Sequence, residues 1–161
     1  MAAKPSKPPQ RGRTFARIAA VQALFQADQT GDPLDLVIDQ FIRHRLNQPA
    51  GEAIDEDRLP DADIALFARI VRAAAASAQR LDVLIAEALP ADWPLSRLDA
   101  VLRSLLRAGA AELADPEGPP PRVIINEYLD VAHGFFSGDE AKLVNGLLDR
   151  LAHQLRATEF E

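Results

Sequence analysis

In this chain, apolar residues recur every third or fourth position in one segment after another, and no segment alternates for long. That period gathers side chains on one face of an α-helix, whereas a half-buried strand needs a period of two. Leu143, Leu147, Leu151 and Leu155 form one stripe, with Val144 and Leu148 beside it. Others run through Leu98, Val101, Leu102, Leu105, Leu106 and Leu113, and through Ile124, Tyr128, Val131 and Phe135. Ile64, Phe67, Ile70, Val71, Ala74 and Ala78 line a further face, which Leu81, Leu84, Ile85 and Leu89 continue or restart. Leu34, Val37, Ile38, Phe41, Ile42 and Leu46 mark another helix. From Arg13 to Asp28 the pattern is apolar on most faces, as expected of a central helix. The fold class is therefore all-α, with six or seven helices.

Turn residues separate these stripes. "TGDP" offers Asp32 as an N-cap with Pro33 at the first helical position, and Asp61 or Asp63 opens the next long helix. Ser96 is placed to cap the helix that carries Leu98, and Ser137 with Glu140 has the form of a capping box. "NQPAGEAIDEDRLP", from Asn47 to Pro60, is an acidic loop with no role beyond a solvated linker.

The chemistry of catalysis is missing from the motifs. There is no G-x-S-x-G elbow, no Walker loop and no dinucleotide fingerprint, and the three histidines fall in different helices without metal-ligand spacing. Neither a cofactor nor a metal is expected, and an enzyme is not the reading. Zero cysteines fit the cytoplasm, and no apolar run is long enough to span a bilayer, so a soluble protein is expected. The net charge of −6 conceals an asymmetry: Lys4, Lys7, Arg11, Arg13 and Arg17 precede the first acid. A basic arm, expected to be disordered over residues 1–12, can handle nucleic acid, while the acidic remainder suits a basic protein partner. The plain alternative is a solvated tail.

Three stretches carry a resemblance: "RTFARIAAVQALFQ", "DAVLRSLLRAGAAEL" and "VIINEYLDVAHGFFSGDEAKLVNGLLDRLA". Together, in order from about Arg13 to Arg156, they resemble the NusB family of bacterial transcription antitermination factors. The resemblance implies two small helical bundles sharing one domain, over 13–89 and 95–157. It implies an RNA-binding adaptor that recognises single-stranded boxA RNA with the ribosomal protein NusE, and indirectly meets NusA, NusG and RNA polymerase during ribosomal RNA transcription. Carried onto this chain, the RNA surface would comprise Arg11, Arg13, Arg17, Gln22, Phe25, Arg103, Asp139 and Lys142. Two alternatives stay open: a protein-only scaffold that binds NusE without RNA, and a relative of the NusB-like domain of ribosomal RNA methyltransferases lacking the catalytic domain. A homodimer would be unsurprising if an apolar surface is kept for a partner.

"LVNGLL" is the anomaly. Asn-Gly is a strong hairpin signal, yet it sits inside a helical stripe, where glycine costs about 1 kcal/mol relative to alanine. Gly146 is expected to be a packing glycine that lets another helix approach, so that Gly146→Val would overpack the core. Asn145 is expected to satisfy a buried polar group at that contact, near Asn126 and Glu127, with direct RNA contact as its competing role.

Overall fold

The computed structural model describes residues 9–46 and 62–160, and every regular element among them is helical. Seven α-helices follow in order: α1 (Pro9–Thr30), α2 (Leu34–Phe41), α3 (Ile64–Ala76), α4 (Ala78–Ala88), α5 (Ala100–Ala114), α6 (Pro121–Phe135) and α7 (Glu140–Leu155). A π-helical turn, Ile42–Leu46, extends α2, and short 3-10 turns occupy Leu95–Arg97 and Ala157–Phe160. The expected all-α fold is thus present. The sequence suggests a basic arm running to Gly12, but Pro9 to Gly12 belong to α1; residues 1–8 and the acidic 47–60 segment lie outside the described residues.

The helices form two small bundles around a shared α5. On one side α5 packs against α1 and α3, with α2 laid on α1; on the other it meets α4, α6 and α7. The sequence groups α4 with the N-terminal bundle, but its main contacts are α5 and α7. Composition explains why α5 can serve both sides. Leu105, Leu106 and Leu113 are fully buried, and Ala108, Gly109 and Ala110 between them are small enough to let neighbours approach. In α1 the alanines at 16, 19, 20 and 23 have no exposed surface and serve the same purpose. Phe41 and Phe67 stack with ring centroids 5.7 Å apart, joining α2 to α3.

The packing glycine is Gly109, not Gly146. A Cβ on Gly109 would lie 3.1 and 3.2 Å from the two δ-carbons of Leu148, so the missing side chain is what brings α5 and α7 together. Gly146 is exposed, and a Cβ there would meet nothing within 4 Å. The reason is angular: Leu143, Val144, Leu147, Leu148 and Leu151 face the core, which turns Asn145 and Gly146 outward. Asn145 and Asn126 are both exposed, so neither fills the buried polar role assigned to them, while Glu127 is buried.

Several caps also differ from expectation. Of the two residues expected near the start of α3, Asp63 caps it, accepting from Leu66 N–H at 3.0 Å. Pro33, not Asp32, is the residue before α2, and no side chain caps it. Asp99 replaces Ser96 at the start of α5, accepting from the N–H groups of Val101 and Leu102. Ser96 lies in the preceding 3-10 turn. Ser137 makes no capping box, because α7 begins only at Glu140, after Asp139. Gly31, at φ 72°, ends α1 in the left-handed conformation that glycine adopts without a Cβ clash, and its N–H donates to Ala27 O at 2.9 Å.

Candidate nucleic-acid interface

The first helix has two chemically different sides. Arg11, Phe15, Ile18, Gln22 and Phe25 follow one another at intervals of four, three, four and three, so they share a stripe, and the structure leaves all five exposed or half-buried. The Arg11 guanidinium sits over the Phe15 ring, 5.2 Å from its centroid. This stripe sets a cation, two partly buried aromatic rings and the Gln22 amide, whose Oε1 is buried without a hydrogen-bond partner among the described residues, along one side of α1. Gln26, one turn after Gln22, donates to Gln40 Oε1 on α2 at 3.2 Å.

The other side of α1 corrects the expectation for Arg17. Its side chain is only 2% exposed and makes a two-pronged contact with Glu112 on α5, while Glu127 on α6 lies 3.7 Å away. Thr14 Oγ1 donates to Glu127 at 3.0 Å, and the Arg17 guanidinium lies 6.0 Å from the Tyr128 ring centroid. Burial alone would pull the Arg17 pKa down, but the hydrogen bond and charge of Glu112 outweigh it and the group is held above its ordinary value. Arg17 therefore fastens α1 to α5 and α6 and presents no guanidinium to solvent. Arg13, one turn earlier and exposed, lines a cleft of about 460 Å³ with Arg69, Asp63 and Asp115.

Arg103 belongs to a network of salt bridges. Its Nη2 is 3.5 Å from Asp28 Oδ2 at the end of α1, and Arg107 one turn on clasps Asp82 of α4 at 2.8 and 2.7 Å. The Asp82 hydrogen bond raises the Arg107 pKa despite partial burial. Arg103 is thus partly engaged in holding α5 to α1. Asp139 and Lys142 are exposed at the start of α7, where both line a hollow with Trp93 and Gly146.

The predicted surface consequently falls into four places: the outer stripe of α1, the cleft that Arg13 lines, the α1–α5 salt bridges and the start of α7. Sequence reasoning missed Glu112, Arg156 and Trp93. Arg156 is buried and donates to Leu113 O at 2.9 Å and to Asp115 O, closing the carboxyl end of α5. The signal for it was faint, since only its place after the last leucine stripe sets it apart. Among the described residues no group of three or more acidic or histidine side chains could hold a metal ion, and no helix is long and apolar enough to cross a membrane.

Comparison with known proteins places this architecture. The sequence profile of the NusB family matches residues 14–153. The transcription antitermination protein NusB of Granulibacter bethesdensis is 58% identical over 151 residues, spanning 93% of each chain. The protein of that name from Gluconobacter oxydans is 52% identical over 149 residues, spanning 92% of this chain and 91% of its own. Among solved structures, T. maritima NusB superimposes with a TM-score of 0.71 at 26% identity, over 97% of this chain and 99% of that one. A crystal structure of NusB and NusE with double-stranded RNA gives a TM-score of 0.70 at 21% identity over 89% and 98%, a likeness of fold. A match across most of the chain, and relatives more than half identical over nearly all of it, agree with the helices and their order: the chain belongs to the NusB family.

Proposed function

We propose that this protein is an RNA-binding transcription antitermination factor that takes single-stranded boxA-type RNA together with NusE. In this reading it helps assemble a complex with NusA and NusG on RNA polymerase, notably during ribosomal RNA transcription. It works by binding and assembly, not catalysis, in the bacterial cytoplasm. The observation that carries the reading is the family itself, whose members at 58% and 52% identity bear the name transcription antitermination protein. The exposed and half-buried side chains of α1 support it: Arg11 on the outer stripe and Arg13 on the neighbouring face supply charge for phosphates, and Phe15, Gln22 and Phe25 of the stripe supply ring faces and an amide for unpaired bases. Lys142 and Asp139 extend that surface at the start of α7.

Fluorescence anisotropy with labelled boxA RNA and a scrambled control, with and without NusE and across a salt series, tests it. Preference for boxA that NusE tightens is the expected result. Replacing Arg11 and Arg13 by alanine should weaken binding and flatten the salt slope by roughly 0.7 for each phosphate that is no longer neutralised. If NusE binds while neither RNA does, the protein is a scaffold for proteins alone.

A further inference from the structure

Gly146 poses a question that the fold does not answer. Glycine weakens a helix interior, and Gly109 shows what normally offsets that cost: a neighbouring side chain in the space a Cβ would fill. At Gly146 the space is empty. The glycine opens instead into a hollow of about 380 Å³ between the end of α4 and the start of α7, walled by Trp93, Asp92, Lys142 and Arg150. A second hollow, of about 450 Å³, adjoins it, shares Trp93, Asp92 and Asp139, and carries Arg97. Trp93 thus borders both. Arg150 is fixed at the rim, donating to Ala88 O at 3.2 Å.

We propose that the hollow opened by Gly146 takes one unstacked base of single-stranded RNA against Trp93, with Lys142, Arg150 and Arg97 on the phosphates to either side. The inference rests on the RNA-binding reading above and assigns four residues to it that the resemblance did not: Trp93, Arg97, Gly146 and Arg150. Complementarity favours this occupant. Three cations line the two hollows that the half-buried Trp93 borders, the combination that holds single strands by stacking and charge. The two carboxylates, Asp92 and Asp139, accept hydrogen bonds only, so they favour a base with an exocyclic amino group over uracil. A side chain at position 146 would fill the place where that base lies.

Trp93 is the sole tryptophan of the chain, so its fluorescence reports the two adjoining hollows and no other part of the protein. Unlabelled boxA RNA should quench it, and replacing the amino-bearing bases one at a time by uracil should abolish the quench at one position. Gly146→Leu should weaken boxA binding about tenfold, as expected when one base no longer stacks. Its thermal melt should be no lower than wild type, because position 146 is exposed, and NusE binding should be unchanged. If anisotropy reports boxA binding but Trp93 is not quenched and Gly146→Leu binds as wild type does, the base site is overturned while the RNA reading stands. Quenching by NusE alone, with Gly146→Leu weakening NusE and not RNA, overturns it in favour of a protein contact. No RNA binding even with NusE overturns both.

Discussion

The guanidinium of Arg17 and the carboxylate of Glu112 meet in parallel, Nε to Oε2 at 2.8 Å and Nη2 to Oε1 at 2.9 Å, with both side chains removed from water. Removing one partner leaves a buried charge unpaired, which costs far more than breaking a surface ion pair. Arg17→Ala should destabilise the protein by about 3–5 kcal/mol in urea unfolding. Arg17→Lys should recover little of this, since an ammonium cannot supply the fork. An Arg17→Ala protein as stable as wild type would remove Arg17 from this structural role.

Tyr128 is fully buried, and burial, followed by the charge of Glu112, holds its phenol well above the ordinary value. The folded chain therefore keeps this proton at pH values where the unfolded chain loses it, and stability should fall as pH rises past about 10. Tyr128 is the one tyrosine, so tyrosinate absorbance isolates it. In an alkaline titration its ionisation should coincide with loss of helical circular dichroism. Ionisation near the ordinary pH with the helices intact would contradict the burial.

Asp115 shifts the other way. The Glu117 N–H bonds its carboxylate, and Arg69 and Arg156 add to the effect, lowering its pKa. A depressed carboxylate contributes stability that is present above about pH 4 and is lost as pH falls through the folded value. The stability gap between wild type and Asp115→Asn should accordingly close on acidification. A gap that is constant with pH would show that charge is not what Asp115 contributes.

Gly109 and Gly146 should respond in opposite ways. Gly109→Val drives a branched side chain into Leu148 and should cost about 1–3 kcal/mol. Gly146→Ala meets nothing and should stabilise α7 by up to about 1 kcal/mol. Paired thermal melts decide both.

Helix caps offer a further check. Asp99→Ala should cost about 1 kcal/mol by orphaning the N–H groups of Val101 and Leu102, while Ser96→Ala and Ser137→Ala should change the melt little.

Helical periodicity made most of the fold readable, because each stripe names both an element and its buried face. Asp63 could be seen as a cap for the same reason: it stands immediately before a stripe. Ser96 misled because the chain makes a 3-10 turn first, so a residue nearer the helix takes the cap. Gly146 misled because a glycine amid leucines looks buried, although its angle on the wheel already pointed outward. Arg17 shows the firmer limit. It stands among the basic residues before the first acid and the resemblance assigns it to the RNA surface, but its partner Glu112 lies 95 positions away, and local pattern carries no trace of that pairing. The half-exposed run of Arg11, Phe15, Gln22 and Phe25 was available from spacing; its exposure was not.

Because α5 is the common wall of both bundles, neither half is a detachable module. A chain cut after α4 would strip α5 from α1 and α3, while the piece that keeps α5, α6 and α7 would expose the side of α5 that α1, α3 and α4 cover. Heat or urea should therefore meet a single cooperative unit, in which loosening either flank of α5 unravels the other.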